Sequence, residues 1–217
     1  MKLALVNPNT SATTTEVMVR IASREAGSGV ALSGLTAPFG ASLITEPGSL
    51  ARAADAVVAL IPDLQGADAV IVAAFGDPGL SDLRQRLTVP ITGIAEAGMA
   101  EAASGGRCFA VVTTTPDLKE QIAATAARYG HSHFAGTWTS PGDPVETTTN
   151  PADLAAAIRV AIQDAVHDGG AEAIVIGGGP LARAAQELSA VSPVPIIEPI
   201  PAAVRLSLRR MQETAVR

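Results

Sequence analysis

Short runs of Val, Ile, Leu and Ala recur along the chain, and within each run the apolar residues are continuous rather than alternating with polar ones. Continuous apolar runs are typical of strands that are buried on both faces of a parallel sheet. Between them lie longer, alanine-rich segments whose apolar residues follow helical spacing. The predicted strands are 2–6, 69–73, 91–94, 108–113, 173–176 and 194–197, and the predicted helices are 13–26, 50–64, 117–129, 151–168 and 202–213.

Strands and helices alternate, which predicts α/β layers with right-handed crossovers. Prolines mark several strand-to-helix junctions, where the missing N–H is tolerated at the first helical position and the preceding residue is a reasonable N-cap. In open parallel sheets the ligand crevice lies outside the carboxyl ends of the strands, so the same junctions predict a site for a small anion or polarised carbonyl. They are Asn7-Pro8, Asp77-Pro78, Thr115-Pro116 and Gly179-Pro180.

The chain contains an internal repeat. Residues 66–80 read GADAVIVAAFGDPGL and residues 170–181 read GAEAIVIGGGPL, so that Ala74 matches Gly178 at an offset of 104 positions. Further matches join residues 89–91 to 194–196 and residues 5–10 to 111–116.

This repeat predicts an α/β fold of two pseudo-symmetric halves, each a short parallel sheet flanked by helices. We expect the halves to be residues 1–104 and 105–217, with the C-terminal helix able to pack on the first half. The two sets of strand ends would then face each other, which predicts a binding site in the cleft between the halves.

Composition excludes several classes of function. The chain has 217 residues, of which 47% are hydrophobic, and a formal net charge of -6, so no basic patch is expected to bind nucleic acid. No apolar stretch approaches the roughly 20 residues of a membrane span, and the first strand is interrupted by Asn7-Pro8-Asn9 before a signal peptide is formed. We expect a cytoplasmic protein without a nucleic-acid or membrane partner.

Metal and cofactor sites are not predicted. The single cysteine, Cys108, excludes an internal disulfide and a multi-cysteine zinc site, and it opens a strand as a small buried residue would. His131 and His133 are one ligand short of a metal site, and His167 is far from them in sequence. The glycines of 177–179 lack the spacing of a nucleotide-binding loop, although they permit close approach of a ligand.

Three carboxylates lie at predicted strand ends. Asp77 is either a general base or a cap for the helix that begins at Pro78. Glu96 and Glu198 each follow a Val-Pro-Ile strand and are candidates for the site, with solvated or capping roles as the alternative. The polar stretch 137–153, which contains Trp138, is either a surface connection or a lid.

Five ordered blocks resemble the hydantoin and allantoin racemases of the aspartate/glutamate racemase superfamily: VNPNTS (6–11), AFGDPGL (74–80), EAGM (96–99), FAVVTT (109–114) and GGGPL (177–181). The resemblance extends from about residue 2 to residue 205. It implies a cofactor-independent enzyme that acts on a small molecule and associates into a homo-oligomer.

The family has a cysteine at the end of each key strand, and these positions correspond here to Ala74 and Gly178. Two thiols on opposite faces of a carbon would exchange its proton, whereas neither alanine nor glycine accepts one. The residues around the reacting atom do match. The resemblance implies that substrate oxygens are bound by Asn9, Thr10, Ser11, Thr113 and Thr114 and by the backbone N–H groups of Phe75 and Gly179.

The leading hypothesis is therefore an enzyme of this superfamily that acts on a small carboxylate, cyclic imide or hydantoin-like ring by cysteine-independent acid/base chemistry, as a lyase, hydrolase or one-base isomerase. Asp77 is the candidate base of the first half, and Glu198 or a bound water that of the second. Two alternatives stay open: a racemase with unrecognised bases, and a non-catalytic binder of small carboxylates.

Overall fold

The computed structural model describes residues 1–143, 146, 150–178 and 181–215. Within these residues the strands are β1 (Lys2–Asn7), β2 (Ala31–Thr36), β3 (Ala69–Val72), β4 (Ile91–Gly93), β5 (Phe109–Thr113), β6 (Phe134–Thr139), β7 (Ala173–Ile176) and β8 (Ile196–Ile197). The helices are α1 (Ala12–Ala26), α2 (Pro47–Ala59), α3 (Leu80–Arg86), α4 (Ile94–Ala102), α5 (Lys119–Arg128), α6 (Pro151–His167), α7 (Ala182–Ser189) and α8 (Pro199–Ala215).

The strands form two four-stranded parallel sheets with the same topology, β2-β1-β3-β4 and β6-β5-β7-β8. Each half therefore repeats one strand order, and the predicted two-half α/β fold is confirmed. The inner strands β3 and β7 are buried along their whole length, as continuous apolar runs predict.

Strands β2 and β6 were not predicted from the sequence. Each lies at the edge of its sheet, where one side of the strand is unpaired, and neither contains a buried residue. Their sequences, ALSGLT and FAGTWT, therefore lack the continuous apolar run that marks an inner strand. The strand β6 includes residues 137–139 of the polar stretch 137–153, among them Trp138, which packs against the core of the second half.

The two halves repeat individual hydrogen bonds as well as strand order. Ala73 N–H donates to the Val6 carbonyl at 2.8 Å, and Gly177 N–H donates to the Val112 carbonyl at 2.8 Å. The next residues along the chain are Ala74 and Gly178. These two positions, matched in the sequence repeat, thus directly follow equivalent hydrogen bonds.

The chain consists of two compact units. The first contains Met1–Ile44, Gly48–Ala97 and Ile200–Arg217, and the second contains Thr45–Pro47 and Gly98–Pro199. The chain thus returns to the first unit through α8. Among the described residues, no helix combines the length and apolar character that crossing a membrane requires.

Candidate functional site

The carboxyl end of β1 carries a buried hydrogen-bond network centred on Asn7, which has no exposed surface. Its amide nitrogen lies 2.9 Å from both Asn9 Oδ1 and Thr15 Oγ1 and 3.1 Å from the Ser11 carbonyl oxygen. Its amide oxygen accepts the Asn9 N–H at 3.1 Å. The network therefore holds the chain that follows β1 against the start of α1.

Asn9 is oriented by this network. Its Oδ1 accepts hydrogen bonds from Asn7 Nδ2 and from Ser11 N–H, both at 2.9 Å. Because both neighbouring groups are donors, the atom that faces them is the Asn9 oxygen, and the Asn9 amide nitrogen points away from the network. Within the described residues this nitrogen donates no hydrogen bond, and Asn9 is 6% exposed. It is a preorganised donor at the end of the strand.

Thr10 and Ser11, also predicted to bind substrate, have structural partners. Thr10 N–H donates to the Ala41 carbonyl at 3.0 Å. Ser11 is the N-cap of α1, and its hydroxyl oxygen accepts the Thr14 N–H at 3.2 Å. The Ser11 hydroxyl is thus engaged at the helix end, as expected for a capping serine.

Residues Ala74–Asp77 form a tight turn at the carboxyl end of β3. Asp77 N–H donates to the Ala74 carbonyl at 3.1 Å, and Gly76 has φ 100°, as the third residue of a type II turn does. Among the described residues, the N–H groups of Phe75 and Gly76 reach no backbone carbonyl. Ala74 and Phe75 are only 8% and 9% exposed. The turn thus leaves two backbone donors without a backbone partner near the strand end.

Asp77 caps a helix, but not the one that follows Pro78. Its Oδ1 accepts the Ala95 N–H and its Oδ2 accepts the Glu96 N–H, each at 2.8 Å, at the start of α4. The helix after Pro78, α3, begins at Leu80 and has Gly79 as its N-cap. Asp77 is 5% exposed. Its assignment as a general base stays a prediction, and the two hydrogen bonds favour a capping role at α4 in place of the expected one at the helix after Pro78.

Glu96 is held between two arginines. Arg84 Nη2 lies 2.7 Å from its Oε2, and Arg210 Nη2 of α8 lies 2.8 Å from its Oε1. Burial raises the pKa of Glu96, but the hydrogen bonds and charges of Arg210 and Arg84 outweigh it, so the pKa lies below its ordinary value of 4.5. This carboxylate is a structural ion-pair partner.

The second half repeats part of this arrangement with threonines. Thr113, equivalent to Asn7, places its hydroxyl oxygen 3.0 Å from that of Thr115, the equivalent of Asn9. Thr113 and Thr114 are 3% and 4% exposed. Gly178 has φ 136°, a conformation that residues with a side chain rarely adopt. Gly179, predicted to supply a backbone N–H, lies outside the described residues.

The remaining candidates have separate positions. Glu198 is half-buried between β8 and α8, and its role stays a prediction. Part of the polar stretch 137–153 lies outside the described residues, so the choice between connection and lid stays open. Among the residues that the structure describes, no group of three potential metal ligands occurs. Whether the strand ends of the two halves face each other, and whether the chain forms a homo-oligomer, also stay predictions.

Two features of the site were missed from the sequence. Asn7 and Thr15 build the network that orients Asn9, although a polar residue directly after an apolar strand was a usable signal for Asn7. Ser140 follows β6, where its N–H donates to the Thr113 carbonyl at 2.9 Å. Its hydroxyl is buried without a hydrogen-bond partner among the described residues. No signal identified Ser140, because β6 itself was not predicted.

Comparison with known proteins agrees with the resemblance seen in the motifs. A family model described as Asp/Glu/Hydantoin racemase matches residues 3–207. A hydantoin racemase from Paenarthrobacter aurescens is 28% identical over 214 residues, which cover 95% of this chain and 89% of that protein.

Solved structures of allantoin racemases are also similar. The enzyme from Pseudomonas fluorescens superposes with a TM-score of 0.93 at 29% identity, covering 99% of this chain and 92% of that one. The enzyme from Klebsiella pneumoniae superposes with a TM-score of 0.91 at 31% identity, covering 99% and 89%. These similarities confirm the expected branch of the superfamily and its fold.

Proposed function

Because the chain belongs to the Asp/Glu/Hydantoin racemase family, we propose that it is an enzyme that binds a small carboxylate, cyclic imide or hydantoin-like ring and exchanges the proton on the carbon next to a carbonyl. Removal of that proton moves an electron pair onto the carbonyl oxygen, which must be stabilised as an enolate. Return of a proton to the opposite face inverts the carbon, and return to the same face restores it.

One observation carries this proposal: hydrogen-bond donors are available at the carboxyl end of the first sheet. The Asn9 amide follows β1, and the Phe75 and Gly76 N–H groups follow β3, its hydrogen-bonded neighbour in the sheet. Neutral donors held by the fold stabilise charge that develops during a reaction, since they need no reorganisation. They also suit the ground-state oxygens of a carboxylate or ring carbonyl.

The base in this proposal is not a thiol. Ala74 and Gly178 occupy the positions at which the resemblance implies cysteines, and neither side chain accepts a proton. A water molecule or Glu198 takes the proton and returns it from the same side. Chemistry with one base favours retention over inversion, while general-base assistance still contributes about 10² to 10⁴-fold in rate.

The experiment incubates the protein in D₂O with single enantiomers of a 5-substituted hydantoin, allantoin or aspartate. We expect deuterium at the α-carbon, followed by NMR, to appear faster than the loss of optical rotation. Equal rates of deuterium incorporation and of loss of optical rotation support a racemase with two unrecognised bases. Disappearance of the substrate with new products supports lyase or hydrolase chemistry instead. A blank without protein corrects for spontaneous exchange.

A non-catalytic binder is the second candidate, because both carboxylate oxygens of Asp77 already accept backbone N–H groups. A binder would keep the donors and carry out no proton exchange. Binding of succinimide or a hydantoin, seen as shifts of the Asn9, Phe75 and Gly76 amide signals, together with no deuterium incorporation into any of the three substrates, favours the binder over the enzyme.

A further inference from the structure

We infer that Asp77 is a positioning residue: its carboxylate anchors the Ala74–Asp77 turn to the start of α4 and does not take the substrate proton. The consequence for catalysis rests on the proposed function, because it concerns the donors of Phe75 and Gly76. The anchoring itself is a property of the protein without ligand, and it is tested without one.

The backbone of Asp77 joins two turns. Its N–H closes the Ala74–Asp77 turn, and its carbonyl oxygen accepts the Leu80 N–H at 3.3 Å to close the next. Asp77 has φ 53° and is the only non-glycine residue with a positive φ in the described part of the chain. A left-handed residue with a side chain is strained and persists only where its surroundings hold it. The helix end supplies that constraint.

The space around the carboxylate is closed on the side of β4. A Cβ atom at Gly93 would meet Asp77 Cγ at 2.1 Å and both carboxylate oxygens within 2.4 Å. The φ of Gly93 is outside the left-handed region, so its backbone does not require glycine. Glycine at position 93 is therefore explained by the carboxylate that occupies the space of its side chain. Such close packing of the Asp77 carboxylate against β4 suits a structural role, whereas a general base must be free to reach its substrate.

The second half repeats the hydrogen bond that closes this turn, without the carboxylate. Leu181 N–H donates to the Gly178 carbonyl at 3.1 Å, as Asp77 N–H does to that of Ala74. The residue that donates this bond is Leu181, which is 2% exposed and belongs to the apolar core. The closing hydrogen bond alone therefore does not require an acidic residue.

The residues that contact Asp77 change together with it between the halves. Strand pairing matches Val70–Ile91 with Ile174–Ile196, so Glu96 corresponds to Pro201 and Gly93 to Glu198. Proline has no N–H to donate, so the helix that follows β8 lacks the donor that Glu96 provides. The second half therefore lacks three things together: the N–H donor at the start of the helix, the carboxylate that would accept from it, and the glycine beside that carboxylate. Capping explains all three differences at once.

The proposal is tested by removing the donor and the acceptor separately. Asp77→Asn removes the charge and one of the two acceptor oxygens. Glu96→Pro removes the N–H that Oδ2 accepts, and proline is tolerated in the first turn of a helix. Glu96→Pro also removes the carboxylate that pairs with the arginines, so Glu96→Gln is its matched control. Glu25→Gln, which disrupts an exposed ion pair with Arg205, is the control for both.

The first readout uses the full-length protein without ligand. We expect the N–H groups of residue 77 and Leu80, which close the two turns, to exchange with solvent about 10-fold faster or more in Asp77→Asn, and in Glu96→Pro relative to Glu96→Gln. The amide signals of Phe75 and Gly76 shift in the same two variants. Unchanged exchange and unchanged signals overturn the proposal. If Asp77→Asn does not fold, the comparison of amide exchange in Glu96→Pro and Glu96→Gln tests the proposal by itself.

The second readout separates positioning from base catalysis. For a hydantoin that the wild type deuterates, Asp77→Asn should raise KM and lower kcat while keeping the shape of the pH profile. Loss of the acidic limb of the kcat profile in Asp77→Asn, with that limb kept in Glu96→Pro, would show that Asp77 takes the proton. Absence of any substrate leaves the exchange measurements valid and counts against the proposed function only.

Discussion

At the scale of single residues, the two equivalent strand ends differ in backbone as well as in side chain. Ala74 has no positive φ and is 8% exposed, whereas Gly178 has φ 136°. A side chain fits the backbone of the first position and strains that of the second. Of the two thiols implied by the resemblance, only the first can therefore be introduced without a change in the backbone.

We predict that Ala74→Cys is tolerated and that Gly178→Cys is destabilising by on the order of 1–3 kcal/mol, because a side chain at φ 136° is strained. Ala74→Cys should also increase deuterium incorporation into a hydantoin by about 10²-fold, since a thiolate then lies at the strand end. Urea unfolding measures the first effect and NMR in D₂O the second.

Ala74→Ser is the matched control, because it adds a side chain of similar size that does not ionise near neutral pH. Equal exchange in the serine and cysteine variants would contradict a reacting carbon beside position 74. Equal stability of the Ala74 and Gly178 cysteine variants would show that the glycine backbone is not strained by a side chain.

At the scale of elements, the inner strands and most helices were predictable because each carries one uniform signal. Buried parallel strands such as β3 are continuous apolar runs, and α6 begins at the predicted residue, Pro151, after Asn150, whose side chain accepts the Ala152 N–H. The edge strands β2 and β6 carry no such signal. The function of Asp77 at α4 was also hidden, because its partners lie 18 and 19 residues away and sequence spacing does not encode that contact.

Three elements meet at Glu96. Arg84 of α3 and Arg210 of α8 bind its carboxylate, and both arginines also donate to the Ile91 carbonyl of β4, at 2.8 Å and 3.1 Å. Arg210 adds a hydrogen bond of 3.0 Å to the Thr92 hydroxyl. The Glu96 side chain is 15% exposed, so this cluster is less screened by solvent than a surface ion pair. It ties both helices to the end of the first sheet.

We predict that Glu96→Gln lowers the free energy of unfolding by about 1.5–3 kcal/mol at pH 7, the range for hydrogen bonds to a charged group. The folded-state pKa of Glu96 is lowered, so its contribution is fully present above about 4.5 and is lost as pH falls through the folded-state pKa. The difference between wild type and variant should therefore shrink below pH 4.5 in urea titrations. Glu25→Gln, at the exposed ion pair with Arg205, should change stability by less than about 1 kcal/mol. A difference that stays constant down to pH 3 would contradict the lowered pKa.

At the scale of the whole molecule, the first unit is completed by the last helix of the chain. Residues Ile200–Arg217 cluster with Met1–Ile44 and Gly48–Ala97. Ile200 and Val204 of α8 are 2% and 0% exposed. The internal repeat predicts where a duplicated sheet begins, but the return of α8 is set by tertiary packing.

We predict that a chain ending at residue 198 loses the ordered first unit. Fully burying an aliphatic side chain contributes about 1.5–3 kcal/mol, and a domain is stable by only about 5–15 kcal/mol. The loss of several buried α8 residues, together with the Arg210 hydrogen bonds, should exceed that margin. In ¹H–¹⁵N spectra the signals of residues 1–97 should collapse toward unfolded positions, while those of residues 98–198 stay dispersed.

A synthetic peptide of residues 199–215 should restore the dispersed signals of the first unit, because it supplies the apolar face of α8 and the Arg210 guanidinium. The same peptide with Arg210→Met keeps the apolar face and loses the contacts to Glu96. It should therefore restore the dispersed signals only at higher peptide concentration. Dispersed signals from residues 1–97 without any peptide would show that the first sheet and its own helices form a sufficient core. Loss of both sets of signals would show that the two units fold as one cooperative body.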